Sequence, residues 1–170
     1  MAALGSQARP PETAVIGFTA AQMGSPLQGG FESFAVQVDF DPVHPDKGVV
    51  QIEVKVDSVN AGSREANDLL RSTGFFDAAH YPTARFDAEK FVTQADGRYL
   101  AQGSFTLKGT TVMLPVSFST VAGPQGRWFE GHFSISRLAF GVGQGEWSDT
   151  GTLDDKVEIT FHLPPIAGAT

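Results

Sequence analysis

Four histidines, an acidic loop and a glycine-rich run are the places where this 170-residue chain could do chemistry. His44, His80, His132 and His162 lie far apart in sequence. Alternation puts His132 and His162 on the outward faces of their strands, where a histidine is ordinarily a solvated surface group rather than half of a zinc pair. Asp41, His44 and Asp46 share a loop, but that loop carries two prolines and there is no second cluster to complete a metal site. Gly141-Val142-Gly143-Gln144-Gly145 has the glycine content of a phosphate-binding loop without the following helix or a βαβ context, so its glycines read as turn formers. A hydrolase needs a nucleophile, a base and an orienting group in one frame; no Gly-x-Ser-x-Gly elbow occurs. The absence of Cys excludes disulfides and thiolate chemistry. Arg137 and Asp77 are expected to pair and tie two non-strand segments together. No catalytic residue, no metal ligand and no cofactor is assigned, and the expectation is a protein that is not an enzyme.

The elements around these residues are strands. Phe34, Val36, Val38 and Phe40 recur at every second position with Gln37 and Asp39 between them, and Val50, Ile52, Val54 and Val56 alternate with the polar Gln51, Glu53 and Lys55. The period of two, marking one buried face, returns in Val112–Phe118, in Phe129–Ile135 and in Val157–Leu163. Weaker versions lie at 13–23, 83–93 and 98–108; in the second, the step from Ala88 to Phe91 predicts a bulge. Asp96-Gly97 and Lys108-Gly109 are hairpin signals; Asp41-Pro42 through Lys47-Gly48 and Gly123-Pro124-Gln125-Gly126 are longer turns. Ser63–Arg71 reads as one short helix with Ser63 as N-cap and Ala66, Leu69 and Leu70 on one face. Arg137–Leu153 is a long Gly-rich connection placed near the mouth of whatever the strands enclose. The chain divides into a single domain over 13–163, with tails at 1–12 and 164–170.

The composition is 41% hydrophobic and 18% charged, and its 14 Phe stand against 2 Tyr and 2 Trp. Phe has no polar handle, so so many of them imply a large apolar interior. A net charge of -7 argues against nucleic acid and anionic membrane surfaces. Met1–Glu12 shows no basic start followed by an apolar run, so no signal peptide is expected in it. About eight amphipathic strands, with none built as a protected edge, predict an all-β fold: a closed antiparallel eight-stranded barrel. Such a barrel holds packed side chains or one ligand, in a slot roughly 25 Å tall. Parity directs Phe18, Phe34, Val36, Ile52, Val54, Phe86, Phe105, Leu107, Leu114, Phe118, Phe129, Phe133 and Phe161 inward. Leu69 of the helix and Phe76 after it complete the candidate ligand wall. Periodicity alone leaves a filled core and a ligand cavity both open.

Four segments in order resemble the YceI-like family of bacterial lipid-binding barrels. They are Ile16-Gly17-Phe18 through Gly29-Gly30-Phe31-Glu32-Ser33-Phe34; Leu70-Arg71-Ser72 with Gly74-Phe75-Phe76-Asp77 and Tyr81-Pro82-Thr83-Ala84-Arg85-Phe86; Gly103-Ser104-Phe105-Thr106-Leu107-Lys108-Gly109; and Ser136-Arg137-Leu138-Ala139-Phe140-Gly141-Val142-Gly143. The resemblance implies a lipocalin-like barrel with a long apolar pocket for polyprenyl chains, such as isoprenoid quinones, in a periplasmic or secreted protein. It also implies, for some members, a link to membrane b-type cytochromes. The leading expectation is therefore a carrier of an isoprenoid lipid. The alternatives are an accessory to a membrane cytochrome and, behind it, a lipid-modifying enzyme. A homodimer stays open, although no outer face is strongly apolar.

Overall fold

The computed structural model describes residues 14–41, 43–123 and 126–164; the tail 1–12, residue 13, Pro42, Pro124-Gln125 and 165–170 lie outside the described residues. Within them the alternation becomes ten strands: β1 Val15–Gln22, β2 Ser25–Phe31, β3 Phe34–Asp39, β4 Val49–Lys55, β5 Val59–Asn60, β6 Thr83–Thr93, β7 Tyr99–Leu107, β8 Thr110–Gly123, β9 Gly126–Ser136 and β10 Lys156–Leu163. Every pairing is antiparallel. All ten belong to one sheet in the order β3-β4-β6-β7-β8-β9-β10-β1-β2-β5. The sheet curls around its apolar face, so the architecture is all-β and barrel-like.

Ten strands stand where eight were expected: the eight runs become β1, β3, β4 and β6 to β10, while β2 and β5 form in segments where no strand was expected, each set off from its neighbour by a break. Glu32-Ser33 separates β2 from β3, and the 3-10 turn Val56–Ser58 separates β4 from β5. The breaks face each other. The Glu32 N–H donates to the Ser58 carbonyl at 3.2 Å and the Lys55 N–H to the Ser33 carbonyl at 3.0 Å. The Ser58 hydroxyl accepts from the Ser33 N–H at 3.0 Å and donates to the Lys55 carbonyl at 2.6 Å. A serine hydroxyl that bonds nearby backbone offers the chain an alternative to the ladder.

Local chemistry explains the other joints. Met23-Gly24 and Lys108-Gly109 all have positive φ, the two-residue hairpin turn whose twist matches the strands. The register of β6 on β7 shifts between Ala88 and Lys90, which brings Phe91 back to the inner face. The only α-helix among the described residues, α1 (Arg64–Arg71), starts where the Ser63 hydroxyl accepts from the Ala66 N–H at 3.1 Å.

The apolar interior falls into two clusters. One gathers Val54, Val56, Val59, Leu70, Phe75, Phe76, Phe140, Val142 and Leu153 toward α1 and the connection after β9. The other gathers Val38, Phe40, Ala88, Phe91, Ala101 and Phe118 at the opposite end of the strands.

Candidate functional site

Two adjoining chambers occupy the inside of the sheet, with cavity volumes of about 100 Å³ and 120 Å³. The lower chamber lies among Val38, Val50, Ile52, Phe86, Phe91, Ala101, Phe118, Phe129, Phe133 and Phe161. The upper one lies among Phe18, Leu27, Phe31, Leu70, Phe75, Phe76, Leu107, Ile135, Val142 and Leu153. Ile16, Val54, Ala84, Phe105 and Ile159 border both and form the waist between them. Ile52, Phe86, Phe105, Phe133, Ile159 and Phe161 face inward yet are only half-buried, because part of their surface fronts this space.

The wall carries no free charge. Arg85 belongs to a strand that borders the lower chamber, but its guanidinium is about half exposed and meets Asp87 at 3.3 Å and Glu53 at 3.5 Å. Asp87 raises its pKa. Arg137, bordering the upper chamber, is 2% exposed and spends its donors on backbone. Nε donates to the Asp154 carbonyl at 2.9 Å, one terminal nitrogen to Val142 at 2.9 Å and Gly143 at 3.4 Å, and the other to Leu153 at 2.6 Å. Burial lowers the Arg137 pKa while Asp155 and Asp154 oppose that; a guanidinium stays protonated all the same. A Cβ on Gly143 would run into this guanidinium, and Gly143 has a φ of 86°, so glycine is required there on both counts.

Arg137 therefore organises its own connection and does not pair with Asp77 as the sequence had suggested. The Asp77 carboxylate meets His80 Nδ1 at 2.8 Å. The two non-strand segments are joined instead by backbone and by Lys108. The Gly143 and Gln144 N–H groups donate to the Gly74 carbonyl at 2.8 and 2.9 Å. Lys108 Nζ donates to the carbonyls of Thr73 at 2.9 Å and Gly141 at 2.7 Å. Burial lowers the Lys108 pKa, with Asp77 acting the other way. Trp147 packs edge-on against Phe75 at 5.7 Å. Together these segments roof the upper chamber.

None of the four histidines borders either chamber. His132 pairs with Glu158 at 3.4 Å on the outer face. His162, on the outward parity, is nonetheless buried: it stacks on Trp128 at 4.5 Å and meets Glu130 at 3.3 Å. Among the described residues no group of three or more His, Cys, Asp or Glu could hold a metal ion.

A YceI-like domain profile matches residues 9–164. The chain belongs to the YceI-like family. Its fold is similar to that of BcnA from Burkholderia cenocepacia, at 33% identity and a TM-score of 0.86, covering 88% of this chain and 94% of that one. A polyisoprenoid-binding domain from Saccharophagus degradans, implicated in plant cell wall breakdown, shares the fold alone, at 13% identity and a TM-score of 0.64, over 89% and 94%. A UPF0312 protein of Photorhabdus laumondii is 31% identical over 103 residues, 60% of this chain and 53% of that protein, so the match spans about half of the relative's length. One from Azotobacter vinelandii is 24% identical over 157 residues, 88% and 80%.

In this YceI-like chain the candidate residues divide clearly. Phe18, Phe76 and Leu107 border the upper chamber, Ile52, Phe86, Phe118 and Phe133 the lower, and Val54 and Phe105 both. Phe34 and Val36 are half-buried against the core and border neither chamber; Leu114 is placed likewise, whereas Phe129 and Phe161 border the lower one. Leu69 is a correction: it is 39% exposed, and Leu70, at 7%, takes the inward position. Over eight residues the helix has room for one apolar contact line, and Ala66 and Leu70 share it at the i, i+4 spacing. Ile16, Val38 and Val50 share parity with named neighbours and could have been found from them. Phe75, Val142 and Leu153 lie in non-repetitive segments, where no periodicity points inward.

Proposed function

We propose that this protein binds and carries a long apolar lipid of the isoprenoid type, a polyprenyl chain or a quinone bearing one, within the curled sheet, and that it is not an enzyme. The observation carrying this is the pair of adjoining chambers with a continuous apolar wall, whose two neighbouring arginines are both satisfied elsewhere. A wall without free donors or acceptors offers a polar ligand nothing in return for its lost hydration. It rewards a hydrocarbon chain by about 0.8 kcal/mol per buried CH₂ group. The only titratable groups on that wall among the described residues, Arg85 and Arg137, are guanidiniums that stay protonated and bonded elsewhere, so neither serves as acid, base or nucleophile on a bound lipid.

The reading takes the sheet as a closed barrel of eight bent strands, with β2–β3 and β4–β5 each acting as one. The pairings of β2 with β5 and of β3 with β4, and the bonds across the two breaks, support it. It also places the protein in the periplasm or outside the cell. Native mass spectrometry of protein purified without detergent, followed by solvent extraction, tests the proposal. A co-purified prenyl lipid is expected. Consumption of a lipid panel, or failure to retain any prenyl lipid after loading, would overturn it.

A further inference from the structure

The two ends of the cavity are built differently. At the α1 end the upper chamber is roofed by segments outside the sheet, held by the Gly74 and Lys108 contacts. At the other end the lower chamber stops on packed rings. Phe91, Phe118 and Phe129 border the space. Behind them sits Phe40, 7% exposed, with its ring centroid 5.2, 5.5 and 6.0 Å from theirs. Tyr99 lies 5.0 Å from Phe40 and stacks on Phe118 at 5.6 Å. Gly48 closes the layer from outside, where a Cβ would stand 2.8 Å from the Phe91 ring and 3.0 Å from that of Phe40. Phe40 is thus the hub of a ring layer that it shares with the cavity wall without touching the cavity.

We propose that this layer is the floor on which the far end of a bound chain stops, so that Phe40 sets the longest chain the protein accepts. The proposal rests on the lipid-binding reading and adds a direction to it. The chain enters tail first from the α1 end and meets Phe91, Phe118 and Phe129, leaving its polar end under the roof. Interiors packed to crystal-like density yield little, so a unit that overruns the floor must stay in water or displace rings. Phe40→Ala deletes about six carbons from behind the wall. The lining rings can then fall back and admit about one more five-carbon unit, since apolar cavities take up apolar guests.

The test uses the delipidated full chain and two graded series, linear all-trans polyprenols and unbranched 1-alkanols. Retention is read by gel filtration, extraction and mass analysis. Wild type should show a length cut-off. Phe40→Ala should move it up by about one isoprene unit, the first excluded prenol gaining about tenfold or more in retention. Phe40→Trp should move it down. Leu27→Ala in the upper chamber should change affinity and leave the cut-off in place. Should Phe40→Ala not unfold cooperatively, Phe40→Leu carries the same sign with a smaller shift. A folded Phe40 variant with an unmoved cut-off, or an equal shift from Leu27→Ala, overturns the floor. Alkanols held with a Phe40-dependent cut-off while prenols are refused would remove the isoprenoid reading and leave the floor standing; refusal of both series removes both.

Discussion

Val54→Glu probes the cavity wall most directly. Val54 is 8% exposed, borders both chambers, and lies opposite Phe34 on one side and Ala84 on the other. A carboxylate there has no partner. It escapes ionisation by keeping its proton, so the electrostatic cost at pH 7 is capped by the distance from an ordinary Glu value of about 4.3, close to 3.7 kcal/mol at about 1.36 kcal/mol per unit. Loss of the valine's packing brings the total to about 4–5 kcal/mol, a large part of the about 5–15 kcal/mol that holds a domain together. At about 2–4 °C per kcal/mol, Tm falls by roughly 8–20 °C. The sign with pH follows from linkage. The folded pKa of the new acid is raised, so between about 4.3 and that value the folded state holds a proton that the unfolded state has lost, and stability falls as pH rises. The deficit of Val54→Glu relative to Val54→Gln should therefore shrink steadily from pH 7 toward about pH 4.5. Glu53→Lys is the control: Glu53 is about half exposed and meets only Arg85, at 3.5 Å, so its loss should cost under about 1 kcal/mol. Thermal unfolding of delipidated protein at several pH values reads all three variants. Equal losses from Val54→Glu and Glu53→Lys, or a deficit flat with pH, would refute the assignment of Val54 to an apolar interior wall.

Arg137→Met should destabilise by about 3–5 kcal/mol in urea unfolding, because four carbonyls lose a buried charged donor; Arg137→Lys should not restore it, since an ammonium cannot reproduce the planar fork. Lys108→Met should speed lipid release in a dilution assay while Tm moves by no more than about 1–2 kcal/mol equivalent, because the two carbonyls it ties belong to the roof. Gly103→Ala should cost about 1–3 kcal/mol by overpacking, its Cβ arriving 2.5 Å from the Asp87 carbonyl and 2.8 Å from the Phe86 ring; a neutral result in thermal unfolding would show that β6 and β7 part more easily than their register implies.

Eight of the ten strands were legible because one face of each is apolar and the other polar; β2, whose Ser25-Pro26 and Gly29-Gly30 leave no clear alternation, and the two-residue β5 were not. Val50–Val56 reads as a strand in sequence, and β4 follows it to Lys55, where the chain enters its 3-10 turn. The bulge between Ala88 and Lys90 was legible for the same reason: Phe91 is out of phase with Phe86 unless one residue is inserted. The breaks that divide β2 from β3 and β4 from β5 were not. They depend on Ser33 and Ser58 meeting across 25 positions, and a serine in an alternating run gives no hint of a distant partner.

The site was legible in direction and illegible in volume. Parity sent Ile52, Val54, Phe86, Phe105 and Phe133 inward, and they border the chambers; it sent Phe34 and Val36 inward equally, and they border neither. The difference lies in what stands opposite. Phe34 and Val36 are met by the packed core, while Phe105 spans the waist between two spaces. Position along the strand, which period two does not encode, decides whether an inward side chain meets a ring or a gap. The roof lies further still from sequence reasoning, because Phe75, Val142 and Leu153 turn inward through contacts made by Arg137, Gly74 and Lys108 with backbone carbonyls. Any residue supplies a carbonyl, so the sequence of the acceptors carries no mark of the bond. What does carry a mark is the donor: an arginine followed by Gly141 and Gly143, both at positive φ, inside an otherwise apolar stretch. A buried guanidinium needs several acceptors close together, and only a chain that can fold back on itself without Cβ atoms in the way brings four carbonyls to one fork.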